Sequence, residues 1–444
     1  MQIVADLHLH SRYSRAVSQK MDLFEMVNWA EKKGIDLVAT GDWMHPVWFK
    51  EISTQLKETQ PGIFALKDKK SFVRFILSVE ISSIYSQGAG KVRRVHNLIF
   101  SPSLASSEKL VGQLTNRGAK LMSDGRPIVG ISSKDLLALC LEIDPGFIFV
   151  PAHAWTPWFG IYGSQSGFDS LSEAFGDLAK YVYAVETGLS SDPLMNWQIK
   201  ELENRSLLSF SDAHSGPKLG REATVFINKE KGSFTYSDLA KAIKQEEGPL
   251  KIGYTIEFFP EEGKYHWSGH RDCGIHYSPK EIKEKGLICP VCSRPLTIGV
   301  ENRVLDLAHR QPDEQKLHLV KNSVGTTFVY DADKKRVPFV SLIPLLEILL
   351  EINNNSPTKS AAAYENLIAT LGTEFDILMK KPYDEIKSLG GERLEQAIRI
   401  VRERRAYVDP GYDGVFGKVK IFPENSENTA QKTTQKEERQ LGLF

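Results

Sequence analysis

Ala5-Asp6-Leu7-His8-Leu9-His10-Ser11 follows the apolar run Ile3-Val4, and its reading decides the fold. Residues 2–7 read as a short, buried strand of the parallel type. His8 and His10 then fall two positions apart. Side chains alternate along extended backbone, so this spacing puts both imidazoles on one face, where they can share a cation. Such a pair can also be core or solvated histidine, and what recurs downstream decides.

Out to about residue 247 the pattern alternates strand and helix. Strand-like runs are 34–40, 72–79, 95–100, 146–150, 181–185 and 206–210, with helical runs at 21–33, 132–143, 193–204 and 236–247. Repeated βα units of this size predict a parallel sheet, open or closed into a barrel. Metal-type residues fall at the strand ends: Asp42, Glu80, His153, Glu186, and Asp212 with His214. His96 sits inside a strand of its own. The carboxyl ends of parallel strands converge on one face, which is where such folds place their chemistry. Solvated histidines would have no reason to respect strand ends. Other readings stand beside this one: Asp212 capping a turn, Glu186 pairing with an arginine, His96 contacting phosphate beside Arg93 and Arg94. Ser191-Asp192-Pro193 has the form of a helix start, so Asp192 reads first as a cap. His45 fits a ligand or a supporting residue equally well.

Mixed His, Asp and Glu suit zinc, manganese or iron, with magnesium also possible. Metal-activated water attack on phosphorus is the chemistry that follows. Asp212, His153 and Glu80 are the catalytic candidates, Asp212 combining ligation with proton handling.

The 444 residues are 41% hydrophobic and 25% charged, an ordinary composition for two or three domains. The formal net charge is zero, so no global basic field points to nucleic acid, and any such surface must be local. No stretch approaches the length of a membrane span. Met1 leads straight into a strand, so no secretion leader is expected. Three of the four cysteines cluster between 273 and 292, which argues for metal and a reducing cytoplasm over disulfides. Cys273-Gly274-Ile275-His276 and Cys289-Pro290-Val291-Cys292 form a knuckle pattern expected to hold a structural zinc through Cys273, His276, Cys289 and Cys292, with His270 as the competing fourth ligand. Cys140, on an apolar helix face, reads as core.

Beyond residue 296 the chain predicts an α+β region with an arginine-rich helix over 392–405, either a solvated face or a phosphate contact. Residues 424–439 are polar and lack aromatics, as disordered tethers do. They lead to Gln440-Leu441-Gly442-Leu443-Phe444.

These motifs carry a resemblance. Asp-Leu-His-Leu-His, Thr-Gly-Asp, Ser-Val-Glu, Pro-Ala-His and Ser-Asp-Ala-His, in this order over residues 1–250, resemble the polymerase-and-histidinol-phosphatase (PHP) superfamily. Its members are distorted (β/α)7 barrels that bind up to three metal ions and hydrolyse phosphoesters. The usual Thr-Asp-His is Thr40-Gly41-Asp42 here, and a third early histidine is absent, so the number of ions stays open. The ending resembles the Gln-Leu-x-Leu-Phe peptide that binds the bacterial sliding clamp, through Gln440, Leu441, Leu443 and Phe444. It implies a bacterial, nucleoid-associated protein. The order of parts, with Gly263-Lys264-Tyr265-His266 before the zinc pattern, is similar to the endonuclease Q family over about 1–310. That resemblance implies a DNA repair endonuclease nicking 5′ of deaminated bases and abasic sites. In that family the His276 position is usually cysteine.

The resulting expectation is an α/β PHP-type barrel over 1–250, a zinc module over 251–300, a DNA-binding α+β region over 301–422 and a tail over 423–444. A damaged base must leave the stack for a pocket, and Trp155, Trp158 and Phe159 are the expected wall. Arg93, Arg94 and Arg221 are the expected phosphate contacts. A 3′→5′ exonuclease, a small-molecule phosphatase and a non-catalytic clamp-tethered module are the competing readings.

Overall fold

The computed structural model describes residues 1–88, 90–309 and 316–422, so the clamp-type peptide Gln440–Phe444 lies outside the described residues. Ile3, Ala5 and Leu7 from the opening stretch fill one side of the Gln2–Asp6 strand, at the centre of a mixed α/β sheet. Leu37–Ala39 pairs with it in parallel, and Arg74–Gln87 pairs in parallel with Leu37–Ala39. Ala223–Asn228 lies antiparallel on its other side, followed by antiparallel Leu250–Glu257. Helix Leu23–Lys33 joins the first two parallel strands, its amphipathic face buried through Met26, Val27 and Ala30. Asp22 caps its start by accepting from the Glu25 N–H, and Gly34, at φ +85°, turns the chain out in the left-handed region.

The expected run of parallel strands is broken most extensively after residue 74. Arg74–Gln87 and Lys91–Ser101 form a long antiparallel hairpin, and Ile148–Pro151 pairs antiparallel to its second arm. The connection spans only residues 88–90, far too short for the crossover that parallel pairing needs. Ala184–Glu186 and Ser206–Leu208 form a separate parallel pair, so among the described residues the ladders do not close into a ring.

The C-terminal region is built onto this sheet. Phe339–Ser341 pairs in parallel with Thr255–Glu257, and helices between 345 and 402 pack into the same core as the first helix. A buried ion pair, Lys33 Nζ to Glu374 at 2.7 Å, ties the two ends together. The arginine-rich helix, Glu392–Arg402, does not offer a free basic face. Arg402 is buried and donates to the carbonyls of Leu378, Ile377, Lys381 and Val324. Arg399 and Arg405 pair with Glu395 and Glu403, and Arg393 lies over Phe422. Among the described residues, no helix is long and apolar enough to cross a membrane.

One core carboxyl sets a pH response. Burial pushes Glu257 up to about 8, although Ser209 Oγ donates to it at 2.5 Å. The folded state therefore keeps a proton that the unfolded chain releases above about 4.5. This contribution to stability is complete below that pH and fades as pH rises through about 8. Thermal melts across pH 5–9 are expected to show Tm falling by several degrees with rising pH, and Glu257→Gln is expected to reduce that slope, burial and Glu257 also raising its neighbour Glu222.

Candidate metal centre

His8 and His10 leave the carboxyl end of the first strand with both rings buried on one face. They meet Asp212, which follows the Ser206–Leu208 strand, in a trio whose ligand atoms lie within 4.8 Å of one another. A second trio, Glu80, His96 and His153, has the same spacing. Glu80 joins the two. Its Oε1 lies 2.6 Å from His96 Nδ1 and 3.0 Å from His153 Nε2, while Oε2 lies 3.3 Å from His10 Nε2 and 3.8 Å from His8 Nε2. The Arg74–Gln87 hairpin arm, buried from Phe75 to Ser83, carries this carboxylate between both groups.

The donor set fits divalent cations. His8 Nε2, His10 Nε2 and Asp212 Oδ1 are buried and make no hydrogen bond, although His10 Nε2 and Asp212 Oδ1 stand 3.1 Å apart. Buried polar atoms left this way are costly unless something else satisfies them. Burial opposes charge on His8, but Glu186, Glu80 and Asp212 outweigh it and raise its pKa well above the usual histidine range. Burial is likewise outweighed at His10, by Asp42, Asp212 and Glu80. A cation would take the place of those protons. Burial, aided by His153 and Arg126, holds His96 near 4, neutral as a ligand must be. Glu80 is held well below the carboxylate range: burial works against this, but its neighbours His96, Arg126, His10 and His153 together prevail.

Asp42 and Glu186, expected among the ligands, stand behind the rings. Glu186 Oε1 meets His8 Nδ1 at 2.8 Å, and its Oε2 accepts the His153 N–H at 2.6 Å. Asp42 Oδ1 meets His10 Nδ1 at 3.0 Å, and its Oδ2 accepts from Ser11 N, Ser11 Oγ and Ser14 Oγ. Each carboxylate fixes a ring so that Nε2 faces the centre, the arrangement that orients metal-binding histidines. His214 packs edge-on to His10 at 4.8 Å and accepts no place in either trio. His45 stacks on Tyr13 away from both, and Asp192 caps the Pro193–Asn196 helix through the Met195 N–H.

Three of these residues, Asp42, His153 and Asp212, hold positive φ just past a strand end, at 49°, 29° and 47°. Gly188, itself at φ +67°, makes room for His153: a Cβ there would lie 2.6 Å from the His153 Cβ. Backbone strain of this kind gathers at functional sites.

Other expectations change with the contacts. Trp155 is buried, stacked on Tyr162 and bonded to Asn196, so it is core rather than a pocket wall. Trp158 packs on Tyr265, and Phe159 on His96. Arg93 bonds the Gly167 carbonyl and pairs with Glu173, and Arg221 donates to the carbonyls of Ser211 and Asp212. Both hold loops, whereas Arg94 is exposed. Arg126 was not foreseen. Its Nη1 lies 3.1 Å from Glu80 Oε2, reached from an irregular segment with no periodicity to flag it.

Cys273, Cys289 and Cys292 cluster with His270, within 4.8 Å, and not with His276. In the Ser268–His270 and Ile275–Tyr277 hairpin His270 is paired with Ile275, which puts His276 on the opposite face. There His276 stacks between Trp267 and Tyr412. Three thiols and an imidazole suit tetrahedral zinc. The local core has three buried side chains, Ile282, Cys289 and Leu296, with Cys273, Ile275, Tyr277 and Leu287 partly buried against them, too small to hold a module without a staple. The module docks on the 155–168 loop, Ser164 Oγ reaching the Ile298 carbonyl and Arg303 those of Tyr162 and Phe168.

No family model matches the sequence. An uncharacterised protein of Methanocaldococcus jannaschii is 27% identical over 352 residues, 74% of this chain but only 41% of that protein, so the chain spans less than half of that relative's length. The uncharacterised protein YqxK of Bacillus subtilis is 26% identical over 446 residues, 94% of this chain and 99% of YqxK. The crystal structure of a lesion-specific endonuclease from Pyrococcus furiosus matches with a TM-score of 0.78 at 28% identity, over 97% of this chain and 99% of that one. Endonuclease Q, solved in complex with a 27-mer duplex substrate carrying an abasic lesion at its active site, matches with a TM-score of 0.80 at 30% identity. That alignment takes in 96% of this chain and 100% of the solved one, and with such coverage this chain belongs to the endonuclease Q family.

Proposed function

We propose that this protein is a DNA repair endonuclease that nicks the strand 5′ of deaminated bases (hypoxanthine, uracil, xanthine) and of abasic sites. The observation that carries this reading is the Glu80 carboxylate facing two histidine-containing trios at once. Zinc, manganese or magnesium held by His8, His10 and Asp212, and by Glu80, His96 and His153, would supply water activation and charge neutralisation at phosphorus. Around them, Glu186 and Asp42 hold the His8 and His10 rings, and Arg126 adds a cation beside Glu80 for a non-bridging phosphate oxygen. Asp212 is read as combining ligation with proton handling, and Arg221 donates to its carbonyl. Zinc is the occupant read for the Cys273, Cys289, Cys292 and His270 set. The same reading treats the sheet and the Ala184–Glu186 and Ser206–Leu208 pair as one distorted (β/α)7 barrel, supported by bonds such as Ser209 N to Thr224 Oγ1 across the gap. Gln440–Phe444 is proposed as a clamp anchor on its sequence alone.

The test is a covalently closed circular duplex carrying one deoxyinosine or one abasic site, with Mn²⁺, Mg²⁺ or Zn²⁺. A single nick beside the lesion is expected, and Asp212→Asn is expected to abolish it. Digestion from free ends alone would point to an exonuclease instead. Turnover of p-nitrophenyl phosphate without nicking would point to a phosphatase.

A further inference from the structure

The strands Ser206–Leu208 and Leu250–Glu257 stand side by side, yet their ladders stay separate. Toward the metal centre the gap between them is bridged by Ser209, whose N–H donates to Thr224 Oγ1 and whose Oγ donates to Glu257. At the far end, around Ser206 and Leu250, it widens into a cavity of about 290 Å³. Asp212 follows the opposite end of the first of these strands, so cavity and metal centre lie at the two ends of one gap.

The wall of this cavity combines three chemistries. Trp197, Leu207, Ile252 and Val337 give it apolar surface, and Trp197 is held edge-to-face on Phe339. Arg205, Lys251, Lys335 and Arg336 face two carboxylates, Glu203 and Glu246, so positive charge is in excess. Arg205 donates to the carbonyls of Val182, Glu201 and Ala179, which fixes its guanidinium without cancelling the charge. Arg336 donates to the Trp197 carbonyl and lies 6.0 Å from the Trp197 ring centre, tying the cationic wall to the aromatic one. Thr255 Oγ1, buried beside the Glu257 carboxyl, makes no hydrogen bond of normal geometry.

We propose that this cavity binds a nucleoside 5′-phosphate, its base against Trp197 and its phosphate among the cationic side chains. Every nucleobase has a π-face that an aromatic wall accepts. The Thr255 hydroxyl can donate to a ring heteroatom or accept from one. Planar guanidinium groups fit phosphate oxygens, and the lysines add charge without demanding geometry. The volume suits one mononucleotide, since small-ligand pockets begin at roughly 300 Å³. A duplex is too wide to enter, and the far end of the gap is remote from the metal centre. The ligand is therefore a separate molecule and not part of the DNA being cut.

The probe is ADP, titrated calorimetrically into the metal-loaded full chain, with adenosine and inorganic pyrophosphate as its two halves. ADP is expected to saturate one site and to bind at least about tenfold more tightly than either half. A metal centre can also hold phosphate, so the site is assigned by a variant. Lys251→Glu combined with Lys335→Glu changes two exposed side chains. It is expected to weaken ADP at least about tenfold while leaving Tm and bound metal unchanged. Photolabelling with 8-azido-ADP is expected to mark the peptide that carries Trp197 or the one that carries Ile252. The absence of saturable ADP binding overturns the proposal. So does pyrophosphate binding as tightly as ADP, or an ADP affinity that the paired substitution leaves unchanged.

Discussion

Replacing Glu80 by glutamine is expected to slow lesion incision by on the order of 10³-fold, because cations held by the two trios would supply several kcal/mol at the transition state and each 1.4 kcal/mol is tenfold. The geometry gives the reason. One carboxylate oxygen faces His96 and His153, the other His10 and His8. An amide keeps the shape but turns one of those oxygens into a donor and removes the negative charge that both trios share. Arg126, 3.1 Å from Oε2, would then add unopposed positive charge at the same spot. Bound catalytic metal is expected to fall in step with the rate, read by elemental analysis of the purified variant. A variant with wild-type metal content and wild-type rate would remove Glu80 from the centre.

The second large effect concerns the zinc set. His270→Ala is expected to lose the zinc and unfold the module locally, whereas His276→Ala is expected to retain it. Structural zinc sites contribute roughly 10–16 kcal/mol of apparent binding energy, and that energy is folding energy. The module has little else to hold it, since its own apolar core has only three buried side chains. Burial works against it, but the backbone N–H groups of Val291 and Cys292, with His270, lower the Cys289 thiol to about 6, so a thiolate is available at neutral pH. Zinc stoichiometry and amide exchange over 268–296 read both variants. Equal zinc loss in the two would return His276 to the ligand set.

Much of this centre was legible because its chemistry is local. Two histidines at i and i+2 announce a shared face from spacing alone, and carboxylates at strand ends announce a rim. The Leu23–Lys33 helix was legible as the helical run 21–33. What stayed hidden depends on pairing between distant strands. His270 and His276 differ only in which face of a hairpin they occupy, and the register that decides this involves partners the sequence does not name. Asp42 and Glu186 stand at ligand positions along the chain but approach the Nδ1 edges of the rings, a matter of an ångström or two. Arg126 comes from a segment without periodicity, and Trp155 looked available because its partner Asn196 lies on another unit. The arginine-rich helix misled for a similar reason, since the carbonyls that claim Arg402 belong to other elements.

The buried ion pair between Lys33 and Glu374 bears on how the polypeptide emerges during synthesis. Lys33 sits at the end of the first helix, and its ammonium is enclosed in apolar surroundings with Tyr364 beside it. Until the ribosome has delivered Glu374, that charge has no counter-ion, and sealing it alone would be strongly unfavourable. At ordinary elongation rates the wait is on the order of tens of seconds. Tyr364, which covers the ammonium, arrives on the same C-terminal segment, so the ammonium stays solvated until that segment packs and the burial of the first helix is completed only then.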